Sequence, residues 1–257
     1  MLESRKSDML DFVYMKNTGL CVVIPVYNEE IDLPVNIPKL LSFLEKKMSS
    51  HEWEIVIADN ASTDKTPEIA QEFAKDKRIK YLRLEKKGRG RALRKAWNTS
   101  GKRILSYMDI DLSSDLSCFL KLVKSIENGA DIAIGSRLAK GAKVVGRTPV
   151  REIMSRGYSL LFRSLFRTKF KDAQCGFKAI KKNVWDKLEP VIEDKYWFFD
   201  TELLIISQKA GFIISEVPIV WRDDPDSTVK VAKTAWGDVK GLYRLFVEMP
   251  WKKLKKK

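Results

Sequence analysis

The sequence predicts an α/β fold, a mostly parallel sheet flanked by helices. Short apolar runs of strand length recur through the first half of the chain. Helical stretches separate them, as parallel neighbours require. The runs end on polar or charged loops, and the carboxyl ends of parallel strands are where ligands bind in such sheets.

Leu20-Cys-Val-Val-Ile-Pro25 is an unbroken apolar run closed by proline and reads as a buried strand. The loop Val26-Tyr-Asn-Glu-Glu30 leads into a helix, whose first turn favours acids. Trp53–Ala58 is a second strand, running into the turn-rich Asp59-Asn-Ala-Ser-Thr-Asp64. Thr66-Pro67 reads as an N-cap with proline at the first helical position, so Glu68–Lys75 is helix. Ile79–Leu84 is a third strand. Lys86-Lys-Gly-Arg-Gly-Arg91 is a cationic opening to the helix Ala92–Thr99, and such a helix start suits phosphate. It is neither a Walker loop nor a full dinucleotide GxGxxG. Arg103–Met108 is the central strand, Asp115–Glu127 a helix, and Asp131–Gly135 a strand ending in Ser136-Arg137.

Asp109 and Asp111 follow the central strand. Side chains alternate faces in extended backbone, so these two carboxylates point the same way. They repel unless a proton or a cation relieves them. Mg²⁺ or Mn²⁺, hard ions with oxygen ligands, would do so and keep positions open for a diphosphate. A solvated acidic turn is the plain alternative. Asp59, Asp109 and Arg137 all fall at strand carboxyl ends, and that convergence is stronger than any one loop.

The second half is less regular. In Pro149–Phe166, Met154, Tyr158, Leu161 and Leu165 recur on one helical face, with Arg156, Arg163 and Arg167 roughly opposite. Both a core-facing helix and an arginine-rich helix in a membrane interface fit this pattern. Asp172–Lys178 reads as a polar loop, and Trp197–Leu203 carries Asp200 and Glu202. Gly211–Trp221 holds a strand, with Pro218 marking an edge. Ala235, Val239, Leu242, Phe246 and Met249 mark a last amphipathic helix before a cationic tail, Lys252–Lys257. The expected organisation is an N-terminal extension (1–17), a main domain (18–232, with the interfacial helix at 149–168), and a C-terminal helix with basic tail (233–257).

The chain of 257 residues carries a net charge of +14. The segment 137–171 contributes +9 and 230–257 contributes +7, leaving −2 elsewhere. Basicity confined to two late segments points to a polyanionic surface as partner: an anionic membrane, a phosphorylated lipid or nucleic acid. Cys21, Cys118 and Cys175 are isolated, which argues for reduced thiols rather than a disulfide framework or zinc site. His51 is the single histidine and sits in a polar stretch, so serine–histidine and cysteine–histidine catalysis are discounted. No apolar run reaches transmembrane length and no signal-peptide core is evident.

Eight motifs in order carry a resemblance. They are Val23-Ile-Pro-Val-Tyr-Asn-Glu29, Asp59–Asp64, Lys87-Gly-Arg-Gly90, Asp109-Ile-Asp111, Gly135-Ser-Arg137, Asp172-Ala-Gln-Cys-Gly-Phe-Lys178, Phe199-Asp-Thr-Glu202 and Val217-Pro-Ile-Val-Trp221. Over roughly residues 18–245 the chain resembles family 2 glycosyltransferases of GT-A fold. It is most similar to the polyprenyl-phosphate branch, the dolichyl-phosphate glucosyltransferases and mannose synthases. The resemblance implies a nucleotide-sugar site from Pro25, Tyr27, Asn28, Glu29, Asp59, Asn60 and Asp64. Gly88, Arg89 and Gly90 would lie near the diphosphate. Asp109, Ile110 and Asp111 would form the metal-binding turn, with Asp111 the more direct ligand to Mg²⁺ or Mn²⁺. Arg137 would bind the acceptor phosphate, with Arg151, Ser155, Arg222 and Lys230 sharing that role. Asp172, Gln174, Asp200 and Glu202 would shape the sugar pocket. Ser113 stands where mannose synthases often carry glutamine, which weakens a direct assignment to mannose. UDP-glucose, UDP-N-acetylhexosamine and GDP-mannose stay open, with a UDP-sugar favoured by the closer resemblance to the glucosyl branch.

The expected reaction is inverting transfer from a nucleotide-diphosphate sugar to a polyprenyl or dolichyl phosphate. The expected place is peripheral, on the cytoplasmic face of an anionic membrane, with room for a membrane-protein partner. A hydroxyl acceptor, with Asp200 as base, is the alternative reaction. A nucleic-acid-binding module is the non-enzyme alternative; the chain shows no aromatic stacking platform for it, and no nucleic-acid partner is expected.

Overall fold

The computed structural model describes residues 19–223 and 231–254. The expected extension at 1–17, the acceptor candidate Lys230 and the last three lysines of the tail lie outside the described residues. Seven strands form the main sheet: β1 (Leu20–Val26), β2 (Trp53–Asp59), β3 (Ile79–Arg83), β4 (Ile104–Met108), β5 (Ile132–Ser136), β7 (Phe177–Lys181) and β8 (Ile214–Pro218). Their spatial order is β3-β2-β1-β4-β7-β5-β8, and only β7 runs antiparallel to its neighbours. The short strands β6 (Lys143–Val145) and β9 (Val220–Arg222) pair beside it. The expected mostly parallel α/β architecture is therefore present, and Pro218 does lie on an edge strand.

The sheet is covered on both faces, which is why its strands read as continuous apolar runs. Leu20, Val22 and Ile24 pack under α1 (Asp32–Lys47), α2 (Thr66–Phe73) and α4 (Ser117–Glu127). Cys21 and Val23 face the other core. That core is closed by α3 (Arg89–Thr99), α5 (Pro149–Phe166), α6 (Lys182–Leu188), α7 (Phe199–Lys209) and α8 (Val231–Glu248). At its centre Trp97 meets Trp185 edge-on, ring centroids 4.9 Å apart.

Four expectations change. The polar loop read at Asp172–Lys178 gives way to β7 at Phe177, and α6 follows it. Helix α3 begins at Arg89 rather than Ala92, so the second half of the cationic glycine loop is already its first turn. In α5 the buried residues are Ser159, Phe162 and Phe166, while Met154, Leu161 and Leu165 are exposed. In α8 Leu242 and Leu245 are buried, whereas Val239 and Phe246 face outward. Tyr158 of α5 and Leu242 of α8 bring their stripes to the core, while Met154, Leu161, Leu165, Val239 and Phe246 do not.

Candidate active site

The site lies where β1, β2 and β4 end. Asn28, Ala61 and Leu112, in the loops after those strands, all have positive φ (56°, 63° and 49°). Left-handed backbone costs a non-glycine residue on the order of 1 kcal/mol, so each turn needs bonds to hold it. The Asn28 amide donates to Ser62 Oγ (3.0 Å), and Asn28 Oδ1 accepts from the Thr63 amide (2.9 Å). The Glu29 amide donates to Thr66 Oγ1 at 2.7 Å, and Asp64 accepts from the amides of Glu30 and Thr66. Asp59 is fully buried and accepts from the Ser62 amide, the Tyr81 hydroxyl and Arg83. The structure thus uses Asp59 and Asp64 to shape the loops that frame the cleft. Pro25 and Tyr27 belong to the same edge, with the Lys87 ammonium 3.7 Å above the Tyr27 ring.

The cationic loop is bound to its neighbours rather than open as a backbone cradle. The Gly88 amide donates to Asn60 Oδ1 (2.5 Å), and the amides of Gly90 and Arg91 donate to the carbonyls of Tyr196 and Lys195. A Cβ on Gly88 would lie 2.4 Å from the Lys195 carbonyl oxygen, and one on Gly90 would lie 2.7 Å from Phe199 Cβ. The two glycines allow this close approach.

Arg89 is the hub. Its side chain is buried, and it donates to Asp109 Oδ1 and to Asp200 Oδ2, each at 2.6 Å. Its guanidinium also lies over the rings of Tyr107 and Trp197. Asp200 additionally accepts from the Tyr107 hydroxyl and pairs with the buried Lys178 ammonium at 3.0 Å. Burial alone would raise the Asp200 carboxyl, but Lys178 and Arg89 outweigh it and hold it below the usual carboxylate range. Glu202, one turn into α7, is fully buried and accepts from Arg244 and from the amides of Glu193 and Asp194. It ties the 193–199 segment to α8.

Asp109 and Asp111 line one concavity with Ser113, Gly176, Phe177 and Trp221. Ile110, between them, is buried and pins the turn. Asp111 accepts from the Ser113 amide and hydroxyl. A Cβ on residue 176 would lie 1.8 Å from Asp109 Oδ2, so Gly176 leaves the space that carboxylate fills. Burial, then the charges of Asp32, Asp111, Asp109 and Asp64, raise Glu29 to about 7. A cleft of this sign with two convergent carboxylates fits a hard divalent cation that keeps its remaining positions for phosphate oxygens.

A second concavity gathers Arg137, Ser155, Lys171, Asp172 and Gln174. Arg137 holds Asp172 in a fork: Nε to Oδ2 at 2.8 Å and a terminal nitrogen to Oδ1 at 2.9 Å. Burial would raise Asp172, yet Arg137 prevails and takes it down to about 2. Arg151 lies one turn before Ser155 on α5. Arg222 ends β9, and its amide donates to the Ser113 carbonyl (2.9 Å) beside the first concavity. Tyr107, Lys171, Lys178, Asp194, Asp238 and Arg244 were not among the expected site residues. Lys178 stood inside a quoted motif, but nothing in its neighbours marks it as buried.

Fold and site together define a GT-A domain with a carboxylate-lined cleft. The chain belongs to glycosyl transferase family 2, whose family model matches residues 21–189. It is 34% identical over 219 residues to the glycosyltransferase AglD of Haloferax volcanii, covering 84% of this chain but 35% of that protein. It is 31% identical over 234 residues to a dolichyl-phosphate beta-glucosyltransferase of Saccharomyces cerevisiae, covering 83% of this chain and 70% of that one. The fold is similar to that of glucosyl-3-phosphoglycerate synthase from Mycobacterium tuberculosis, solved with Mn²⁺, UDP-glucose and phosphoglyceric acid. There the TM-score is 0.67 at 16% identity, over 89% of this chain and 79% of that one. Among the described residues no helix is long and apolar enough to cross a membrane.

Proposed function

We propose that this protein transfers a hexose from a nucleotide-diphosphate sugar, with UDP-glucose favoured, to a polyprenyl or dolichyl phosphate, with inversion at the anomeric carbon. The observation that carries the phosphate acceptor is the state of two carboxylates, Asp200 and Asp172. Asp200 is held by Arg89, Lys178 and Tyr107, and Asp172 by Arg137. Both are held below the usual carboxylate range and are poor bases. A hydroxyl acceptor needs a base; a lipid phosphate is already anionic near neutral pH and needs only positioning. Arg137, with two of its nitrogens fixed by Asp172, and Ser155 beside it, suits that task.

Asp109 and Asp111 would hold Mg²⁺ or Mn²⁺, which when bound neutralises charge on the leaving nucleotide diphosphate. Arg89 keeps the Asp109 carboxylate aimed at the cleft, and Ser113 orients that of Asp111. Tyr27, Asn28 and Asn60 frame the nucleotide end.

The outward faces of α5 and α8 support a peripheral membrane location. Ile153, Leu160, Trp236, Tyr243 and Val247 are all more than half exposed. Arginines such as Arg156 and Arg163 border the apolar residues of α5, as in helices lying in an anionic interface. The cytoplasmic face belongs to this reading because nucleotide sugars would be supplied there. The test is transfer of labelled sugar from a panel of nucleotide sugars into organic-extractable lipid. Label should enter the lipid phase from one donor and vanish with EDTA. Donor hydrolysis without lipid labelling would move the acceptor to a hydroxyl.

A further inference from the structure

Helix α8 places one acidic side chain inside the protein. Asp238 is 3% exposed, and its Oδ2 accepts from Gln174 Nε2 at 2.7 Å. The Gln174 amide donates to Asp172 Oδ1 at 3.2 Å. The same Asp172 carboxylate grips Arg137 through two nitrogens and its backbone amide. A continuous chain of polar contacts therefore runs from the C-terminal helix to Arg137, across 64 residues between Gln174 and Asp238.

The helix is well fixed where it does this. Its Gly241 packs so closely on Phe198 that a Cβ would lie 2.3 Å from that ring. One turn on, Arg244 donates to the buried Glu202 at 2.7 Å. Phe246 stacks edge-on with Phe166 of α5, 6.5 Å between centroids. Burial and the charges of Asp194 and Asp200 raise the Asp238 carboxyl to about 7. A buried acid among other acids, with no cation bonded to it among the described residues, is costly to keep. Its one hydrogen bond among the described residues is to a side chain of the second concavity.

We propose that Asp238 is a positioning residue for the acceptor phosphate, holding Gln174 so that Asp172 presents Arg137 in its binding geometry. This rests on the reading of Arg137 as the phosphate contact. Asp238 touches no reacting atom; it sets how the 172–174 segment lies. It also makes the acceptor end of the site depend on α8, the helix whose outer face carries Trp236 and Tyr243.

The test uses the full chain with UDP-glucose and polyprenyl phosphate, measuring KM for each substrate separately. Asp238→Ala should raise the acceptor KM about tenfold and leave the donor KM within about twofold. Asp238→Asn, which keeps an oxygen for Gln174, should return it to near the native value. Gln174→Ala cuts the same bond without removing a charge, so it carries the test should Asp238→Ala fail to fold. It should raise the acceptor KM alike, and the double variant should add nothing further. Arg137→Ala is the reference and must raise the acceptor KM itself. If Arg137→Ala does so while Asp238→Ala and Gln174→Ala leave the acceptor KM unchanged, the relay is wrong and the phosphate contact stands. If Arg137→Ala is silent, the phosphate reading fails and the relay with it. Equal losses in both KM values, or additive effects in the double variant, would reduce Asp238 to a fold-supporting residue and overturn the proposal.

Discussion

Arg89 and Asp109 are bonded at 2.6 Å, joining the first residue of α3 to the residue just past β4. The other arm of the same guanidinium holds Asp200. One cation thus fixes a cleft carboxylate and neutralises a buried one. Arg89→Ala should cost about 3 kcal/mol of stability, because it leaves Asp200 buried with one cation fewer. Arg89→Lys should recover little, since an ammonium lacks the planar fork that spans both carboxylates. Urea denaturation of the three proteins measures this.

Gly176→Ala separates geometry from stability. The new Cβ would lie 1.8 Å from Asp109 Oδ2 and 2.5 Å from its Cγ, so this partly exposed carboxylate must shift off its bond to Arg89. The melting temperature should fall by only about 3 °C, because Arg89 keeps its bond to Asp200. Displacing that carboxylate by about 1 Å should lower kcat/KM about 100-fold. Calorimetry and the transfer assay, run on the same sample, check both halves.

Asp172 gives a pH signature. Its pKa falls from 3.8 to about 2 on folding, so its contribution is present above pH 3.8 and is lost as pH drops toward 2. The amount is on the order of 2 kcal/mol. The stability gap between the native protein and Asp172→Asn, followed by urea denaturation, should shrink over that window and hold steady above pH 5.

The strands were legible where burial leaves continuous apolar sequence, as in Leu20–Val26 and Trp53–Asp59. Phe177–Lys181 was not, because Lys178 interrupts it; the approach of Tyr107, Asp200 and the Cys175 carbonyl in space makes a buried lysine tolerable there. The amphipathic helices were found, but which of their apolar residues enter the core was not readable, since Ser159 contributes to the core face of α5 while Leu160 and Leu161 do not. Motif residues could be named, yet the roles of Asp59 and Glu202 in holding loops depend on partners 22 and 42 residues away, Tyr81 and Arg244. Asp238 had no motif to mark it.

The outward helix faces make their own prediction. Trp236→Ala with Tyr243→Ala should weaken binding to anionic vesicles several-fold and leave thermal stability nearly unchanged, since both side chains are more than half exposed. Raising salt should weaken the remaining, electrostatic part. Vesicle co-sedimentation across a salt series reads both.

The most direct test of the account compares two acceptors that differ by one group, polyprenyl phosphate and the matching polyprenol, with labelled UDP-glucose and Mn²⁺. If a lipid phosphate positioned by Arg137 is the nucleophile, label enters the phosphate lipid alone, and Arg137→Ala abolishes most of it. Equal or greater labelling of the polyprenol would contradict this, because a hydroxyl would then be activated by a base that Asp172 and Asp200, as they are held, do not supply.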